Sequence, residues 1–335
     1  MASVAHTFSP KEFQVWIASD ATNAGATGLH ASNMYQLDVD SVGFPSLNVN
    51  QVLDVRSGVG HTFKDEDFFQ DNKMRVVEMS ISGTLHDDVG HRLLIANICG
   101  AAQADDTNQT IGSGHKIVGQ KYGAAVTNNA SSLTVVVKSS DHSNQRSLEI
   151  AGCVVTNFSI SADAGTEGGR YKFSATLQSG KAPDLNESST AAGNTVYANT
   201  TTTTLASASG FKTYALDVVL NSFTTTIDYP AIFTGVTSTG YEVVSRGAEC
   251  SVTHDCQIKY DGNTKGLPHT FDTQATTVLN GDAFVIVNNG KFGVASSDGV
   301  LTNVAYSEGD IMMLDVSIKS VDDGSNPLLT IELSD

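Results

Sequence analysis

Two-residue alternation of apolar and polar side chains is the feature that most restricts what this chain can fold into. Over residues 170–178, Tyr171, Phe173, Ala175 and Leu177 share one parity, while Arg170, Lys172, Ser174, Thr176 and Gln178 share the other. A period of two is the signature of a half-buried antiparallel strand. Just upstream, Val154, Thr156, Phe158, Ile160 and Ala162 make a second such face. Ala164-Gly165-Thr166-Glu167-Gly168-Gly169 joins the two as a turn. The C-terminus repeats the design: Leu314, Val316 and Ile318, then a turn at Asp322-Asp323-Gly324-Ser325-Asn326-Pro327, then Leu329, Ile331 and Leu333. Asn289-Gly290, between apolar runs at 283–287 and 292–295, predicts another hairpin, because Asn-Gly tolerates the positive φ of a type I′ turn.

Composition agrees with an all-β reading. Charged residues make up 16% of the 335 positions, below the roughly 25% of an average soluble domain. The surface must therefore be built from Ser, Thr, Asn and Gly, which suit strands and turns. One prominent helix is predicted over 87–99. Asp87 and Asp88 sit in its favourable first turn, Val89, Leu93, Leu94, Ala96 and Ile98 form its apolar stripe, and Gly100 is a C-cap. Ser9-Pro10-Lys11-Glu12 reads as a capping box, but Phe13-Gln14-Val15-Trp16-Ile17 reads as a strand, and the strand is the expectation adopted.

Residues 179–213 break the alternation and carry almost no large apolar side chains, so they cannot form a core of their own. They read as a linker with a short edge strand near Val196 and Tyr197. The chain divides into a first domain at 1–180, a Ser/Thr/Asn-rich linker at 181–212 and a second domain at 213–335. The two halves resemble each other. Tyr35-Gln36-Leu37-Asp38-Val39 matches Tyr214-Ala215-Leu216-Asp217-Val218, the segment at 75–82 matches that at 246–253, and Phe158-Ser159-Ile160 matches Val316-Ser317-Ile318. Three collinear matches favour a duplication over the general likeness of sandwich strands.

Net charge is −17, from 36 acidic and 19 basic residues. That excess argues against tight nucleic-acid wrapping, which needs Lys/Arg clusters. No apolar run approaches the ~18 residues of a membrane helix. The first residues lack a basic start and an apolar stretch, so no secretory signal is expected, and the four cysteines are expected as reduced thiols.

The candidate reaction centres are weak. His86 and His91 are five apart, not the i, i+4 of a helical metal pair, and read as a polar helix start with a surface histidine. Cys250, Val252, His254 and Cys256 share a face on a regular strand, but neighbours on one face lie about 7 Å apart, awkward for one ion. In the sequence match Met79 and Ile81 stand where Cys250 and Val252 do, which is plain core. Ser113-Gly114-His115-Lys116 and Ser209-Gly210-Phe211-Lys212 fit Ser-x-x-Lys without the motifs that would support it. No phosphate loop, nucleophile elbow or calcium loop is present. No enzyme, cofactor or metal is therefore expected. Lys64-Asp65-Glu66-Asp67-Phe68-Phe69 sets two aromatics beside acids in a long loop, a candidate docking contact.

The order of these segments resembles a known family. A strand-loop-strand opening (35–55), a long loop (56–73), the strand at 75–82, one helix (87–99) and a closing hairpin (153–178) are similar to the major tail tube protein of long-tailed bacteriophages. The segment 147–161 and its Gly-rich turn carry the likeness most. In the second half 220–230 followed by 246–255 resembles the same opening, without a clear helix after Thr253. The resemblance implies tandem tail-tube-like β-sandwich or barrel domains that stack as rings into a hollow tube for DNA. It implies an acidic lumen along which DNA slides, and self-association as trimeric pseudo-hexameric rings, with hexameric rings as the alternative. Tape-measure and terminator proteins would be partners, with no membrane. The protein would be made in the bacterial cytoplasm and located in the virion tail. By position, the loop containing Lys64, Asp65, Glu66, Asp67, Phe68 and Phe69 would touch the next ring. The rival readings are a carbohydrate- or receptor-binding sandwich, for which Trp16 is the one tryptophan available as a sugar platform, and a hydrolase using one of the nine histidines as base.

Overall fold

A computed structural model of the chain describes residues 10–19, 34–46, 50–53, 68–71, 76–99, 110–111, 114–118, 132–139, 148–185, 193–194, 204–205, 210–235, 240–241, 243–246, 249–274, 277–288, 292–322, 324 and 326–334. The fold is all-β with helices as minor elements. Its first half contains β1 (Phe13–Ser19), β2 (Met34–Leu37), β3 (Val39–Gly43), β4 (Asn50–Leu53), β5 (Phe68–Asp71), β6 (Val77–Thr84), α1 (Val89–Cys99), β7 (Thr110–Ile111), β8 (Gly114–Val118), β9 (Leu133–Ser139), β10 (Leu148–Asp163) and β11 (Lys172–Ser179). After the short β12 (Gly193–Asn194) come β13 (Gly210–Thr213), β14 (Leu216–Asp217), β15 (Leu220–Asp228), β16 (Ile232–Thr234), β17 (Val243–Ser245), β18 (Ser251–Lys259), α2 (Leu267–Gln274), β19 (Leu279–Asn288), β20 (Phe292–Ser307), β21 (Met313–Ser320) and β22 (Thr330–Ser334).

Eight strands follow one another as antiparallel neighbours in the order β3, β6, β11, β10, β15, β18, β21, β20. The first four come from the first half and the last four from the second, and the order within each half is the same. β3 corresponds to β15, β6 to β18, β10 to β20 and β11 to β21, with α1 and α2 after the second strand of each set. The correspondence extends to irregularities. β10 carries a bulge against β11 between Val155 and Asn157, and β20 carries one against β21 between Leu301 and Asn303. β3 bulges against β6 between Val39 and Ser41, and β15 against β18 between Leu220 and Ser222. At the two long-strand bulges Thr156 Oγ1 donates to Thr176 O at 3.3 Å, and Thr302 Oγ1 to Ser317 O at 3.2 Å. Matched bulges on matched strands are the mark of a structural repeat, since a bulge re-aims every side chain beyond it.

Each long strand also serves a second layer. The first part of β10 pairs with β9, which pairs with β1 and then β2. The first part of β20 pairs with β19, then β13 and β14. β10 passes between layers at a register shift between Ile150 and Cys153, where Gly152 takes a left-handed φ of 66°. β7 and β8 extend from the first half to pair with β22 of the second. The two halves thus share one sheet, and one apolar cluster runs through both, from Ile17 and Leu94 to Phe284 and Ile331.

Several expectations change on this frame. The Val154–Thr156 parity is broken: upstream of the bulge the core cluster takes Cys153 and Val155, and only downstream Phe158, Ile160 and Ala162. Tyr214 and Ala215 are not strand. Both have positive φ, 50° and 61°, and close the tight β13–β14 hairpin without glycine. The match of Phe158-Ser159-Ile160 to Val316-Ser317-Ile318 pairs β10 with β21, which are not equivalent strands. The match of 75–82 to 246–253 joins equivalent strands but slips by four. Met79 lies opposite Leu177 and His254 opposite Ile318, so Met79 corresponds to His254 rather than to Cys250, four residues earlier. The second half does have its helix, α2. The stretch read as linker contributes β12 and the start of β13, and Arg170 bridges Thr204. Val196 and Tyr197, Gly100 and Asn289-Gly290 lie outside the described residues.

Candidate functional surface

The outward face of the eight-stranded sheet is assembled from residues far apart in sequence. Following the registers across it, Ser41, Ser82, Ser174, Ser159, Thr226 and Thr253 stand in one cross-strand row. The next row runs Thr84, Lys172, Ser161, Thr224, Asp255, Ser317 and Asn303. Small hydroxyl side chains dominate because alternation puts every apolar partner, such as Phe173, Ile160 and Cys256, on the opposite face. Charges here are few, and the central lysine is paired. Lys172 Nζ sits 2.8 Å from Asp40 and 2.9 Å from Glu167, and Ser317 Oγ donates to Asp255 at 2.5 Å. Lys259 on β18 and Lys319, opposite Thr253 on β21, are further exposed cations of this face, beside the acids Glu78, Asp228 and Asp255. No aromatic ring stands in these rows to stack on a base.

The junction between halves lies at the centre of this surface, where β10 meets β15 from Asn157↔Asp228 to Asp163↔Ser222. Beneath it, Arg246 reaches from the second half into the first. Its guanidinium donates to Val155 O at 2.7 Å, to Tyr229 O at 2.6 Å, and to Asn97 O and Oδ1 at 3.2 Å. Asn97 Oδ1 also accepts the Val155 amide at 2.8 Å. A cation at the C-terminal end of α1 completes carbonyls that the helix leaves open. Burial lowers the Arg246 pKa to about 10, so it stays charged at neutral pH. Burial also raises the neighbouring Cys250 thiol to about 11, which keeps it protonated.

Neither the His86/His91 pair nor the Cys250/His254/Cys256 set is assembled for chemistry, and Ser113 and Ser209 of the Ser-x-x-Lys segments lie outside the described residues. His254 is fully buried. Its Nδ1 is 2.9 Å from Thr225 Oγ1, and its Nε2 is 2.8 Å from Ser296 Oγ and 3.1 Å from Ser320 Oγ. Its ring stacks on Phe284 with centroids 4.2 Å apart. Cys250 precedes β18 instead of sharing its face, and Cys256 faces Thr213 Oγ1. Among the described residues no group of three or more His, Cys, Asp or Glu is placed to hold a metal. His91 is not a surface residue but is fully buried, 2.8 Å from Asp88, whose carboxylate also caps α1 by accepting the His91 amide at 2.9 Å. His86 is buried as well, 2.8 Å from Asp38. Trp16 is 6% exposed, too covered to offer a sugar platform. A shallow depression of about 450 Å³ beside the junction is lined by Asp163, Glu167, Arg170 and Lys172; Lys172 pairs with Glu167 at 2.9 Å, and Asp163 accepts from Thr166 Oγ1 at 3.3 Å.

The docking loop is described only in part. Phe68 and Phe69 begin β5, which pairs with β4 as Leu53↔Phe68 and Val52↔Phe69. Lys64, Asp65, Glu66 and Asp67 lie outside the described residues. β4 and β5 interrupt the chain between β3 and β6, as β16 and β17 do between β15 and β18. Sequence reading missed the hydroxyl rows and the Arg246 contact, which no local motif marks.

No helix among the described residues is long and apolar enough to cross a membrane. Neither a scan against protein-family models nor a search of curated proteins finds a match to this chain.

Proposed function

We propose that this chain is a structural subunit of a phage tail tube, self-assembling into stacked rings that conduct DNA during ejection. The carrying observation is the continuous hydroxyl-lined sheet face that runs without interruption across both repeats. Such a face offers a polyanion hydroxyls with no rings in its rows to stack on and only separated lysines, Lys172 held by Asp40 and Glu167, and Lys259 and Lys319 on β18 and β21, and the net charge of −17 adds repulsion. A duct for DNA needs that combination, whereas an enzyme or a tight nucleic-acid binder needs the opposite. Ring size is consistent with a conduit. Three copies of this eight-stranded sheet would close a barrel of about 24 strands, wider than the roughly 16–18 strands that already enclose an aqueous channel. Six repeats from three chains then give pseudo-hexameric rings, six chains being the alternative, and the loop through Phe68 and Phe69 would meet the next ring. Tape-measure and terminator proteins would be its tail partners, the virion tail its location, and no catalysis or cofactor is assigned to it.

Negative-stain electron microscopy over a concentration series tests this reading. Hollow tubes or stacked rings are expected, with the ring symmetry separating three chains from six. Small solid particles at every concentration, together with retention on a glycan array, would replace it with the carbohydrate-binding alternative.

A further inference from the structure

The long sheet stops at two edges, β3 and the second part of β20. Along both, among the described residues, no strand takes up the outward backbone groups. An open strand edge is a template for another chain. Here the molecule contains its own model of what fits there. β10 corresponds to β20 and β15 to β3, and β10 and β15 are paired within the chain.

We infer that the β20 edge of one copy pairs with the β3 edge of the next, β3 being continued by Phe44 to Ser46, in the register of the internal β10–β15 junction. The register follows from the matched ladders. Ile160 faces Phe173 and Tyr306 faces Leu314, so Ile160 and Tyr306 correspond. Thr225 faces His254, the equivalent of Met79. The residue that follows β3 opposite Met79 is Phe44, since Gly43 faces Ser80. Ile160 faces Thr225 inside the chain, so Tyr306 should face Phe44 of the neighbour, with Glu308 opposite Val42.

Exposure supports this independently of the register. Ile160 and Thr225 are both 0% exposed, covered by each other's strand, while Tyr306 is 54% and Phe44 46% exposed. Each is half of an aromatic pair at its edge, Tyr306 against Tyr260 with centroids at 5.6 Å and Phe44 against Phe13 at 5.1 Å. The next position repeats the contrast. Tyr171, 1% exposed, lies against Phe223 of the second repeat at 5.8 Å. Its equivalent just before β21 is Met312, 41% exposed, which the register sets against Val42, the equivalent of Phe223. Large apolar side chains therefore stand where the internal junction is buried, at both edges. β20 and β3 are different surfaces, so the contact is heterologous, and repeated head to tail it closes a ring or continues as a filament. This inference deepens the tube reading by naming its partner surface, but it stands on the repeat.

The test uses the full chain with cysteines placed across the register. Directly opposed positions on antiparallel neighbours have Cα separations of about 4.5–5.5 Å, within disulfide range. Tyr306→Cys with Phe44→Cys should give, under mild oxidation, a ladder of dimers, trimers and higher species on non-reducing gels. Tyr306→Cys with Val42→Cys, two residues off register, should cross-link at least tenfold less. Tyr306→Asp should abolish association in sedimentation velocity while its far-UV spectrum and melting curve stay those of the parent. Equal cross-linking of the two pairs, or wild-type association of Tyr306→Asp, would overturn the inference. The same samples in the microscope separate the two readings. An in-register ladder without hollow tubes keeps the edge pairing and removes the conduit. Hollow tubes without in-register cross-links keep the conduit and remove the pairing.

Discussion

Met79 and His254 occupy the same point of the two repeats, opposite Leu177 and Ile318 on the equivalent strands β11 and β21. Around Met79 the first repeat is mostly carbon, with Val77, Ile81 and Leu177 buried beside it. Its one equivalent hydroxyl, Ser179 in the place of Ser320, is already engaged, donating to Ala151 O at 2.6 Å and accepting from the Lys181 amide at 3.1 Å. Around His254 the second repeat places the hydroxyls of Thr225, Ser296 and Ser320, at least one on each ring nitrogen. The sheet above is the same in both, bulge for bulge. The lesson is that strand order and bulges carry the repeat, while the space beneath accepts either chemistry provided every buried polar atom is satisfied. Side-chain identity at equivalent points is therefore a poor guide to equivalence, which is why the sequence match slipped by four residues at this strand.

Exchanging the two residues is the strongest way to break the comparison. Met79→His buries an imidazole where the one equivalent hydroxyl, Ser179, is already committed to Ala151 O and the Lys181 amide, and should cost about 3 kcal/mol or more. His254→Met should cost less, about 1–2 kcal/mol. Ser296 and Ser320 still hold each other at 2.9 Å, and Ser296 keeps Leu328 O, so mainly the Thr225 hydroxyl loses its partner. Urea-unfolding midpoints of the two variants should preserve that order. A reversed order would mean that the hydroxyls do not satisfy the ring.

Acid should act on the second repeat through the same residue. Burial lowers the His254 pKa to about 3, from an ordinary value near 6.5. Between those values the unfolded chain binds a proton that the folded chain refuses, so this contribution to stability falls as pH falls through that window. The slope is at most about 1.4 kcal/mol per pH unit. His254→Met removes it. The gap in stability between parent and variant should therefore narrow below about pH 6.5 and, on that slope, reverse sign before about pH 4, and a gap independent of pH would show that the imidazole is accessible to protons in the folded state.

The legibility of the fold followed the same division. Strands with unbroken parity, such as Phe173–Leu177 on β11 and Leu314–Ile318 on β21, were readable from alternation alone, and α1 from its acidic start and apolar stripe. The bulge at Thr156 was not, because an extra residue shifts parity without changing composition, and it misplaced Val154. α2 was missed because its apolar contacts are only Leu267 and Phe271 and because Pro268 reads as a breaker, although a first-turn proline forfeits no helical hydrogen bond. The β13–β14 turn was missed because Tyr214 and Ala215 carry no turn signal for the left-handed conformation they adopt. At the candidate surface, single hydroxyl residues were visible, but Ser82, Ser174, Ser159 and Thr226 become one row only through register, which no local pattern encodes. The docking loop is the reverse case, conspicuous in sequence through Phe68 and Phe69, with its remainder outside the described residues.

The smallest expected effect gives the sharpest comparison. Thr156 and Thr302 make the same hydrogen bond at equivalent bulges, yet Thr156 is buried at the internal junction and Thr302 is exposed near the open edge of β20. In the isolated chain Thr156→Val should cost about 1 kcal/mol, and Thr302→Val should fall within about 0.5 kcal/mol of zero. If the β20 edge is covered by the chain that continues β3 in a second copy, Thr302 acquires the surroundings that Thr156 already has. The cost missing from its folding then belongs to association, so Thr302→Val should raise the concentration needed for assembly a few-fold while leaving the monomer's unfolding curve in place. An assembly threshold that does not move would mean that the environment of this bulge is not completed by a neighbour, and that the two repeats differ at their edges and not only in their cores.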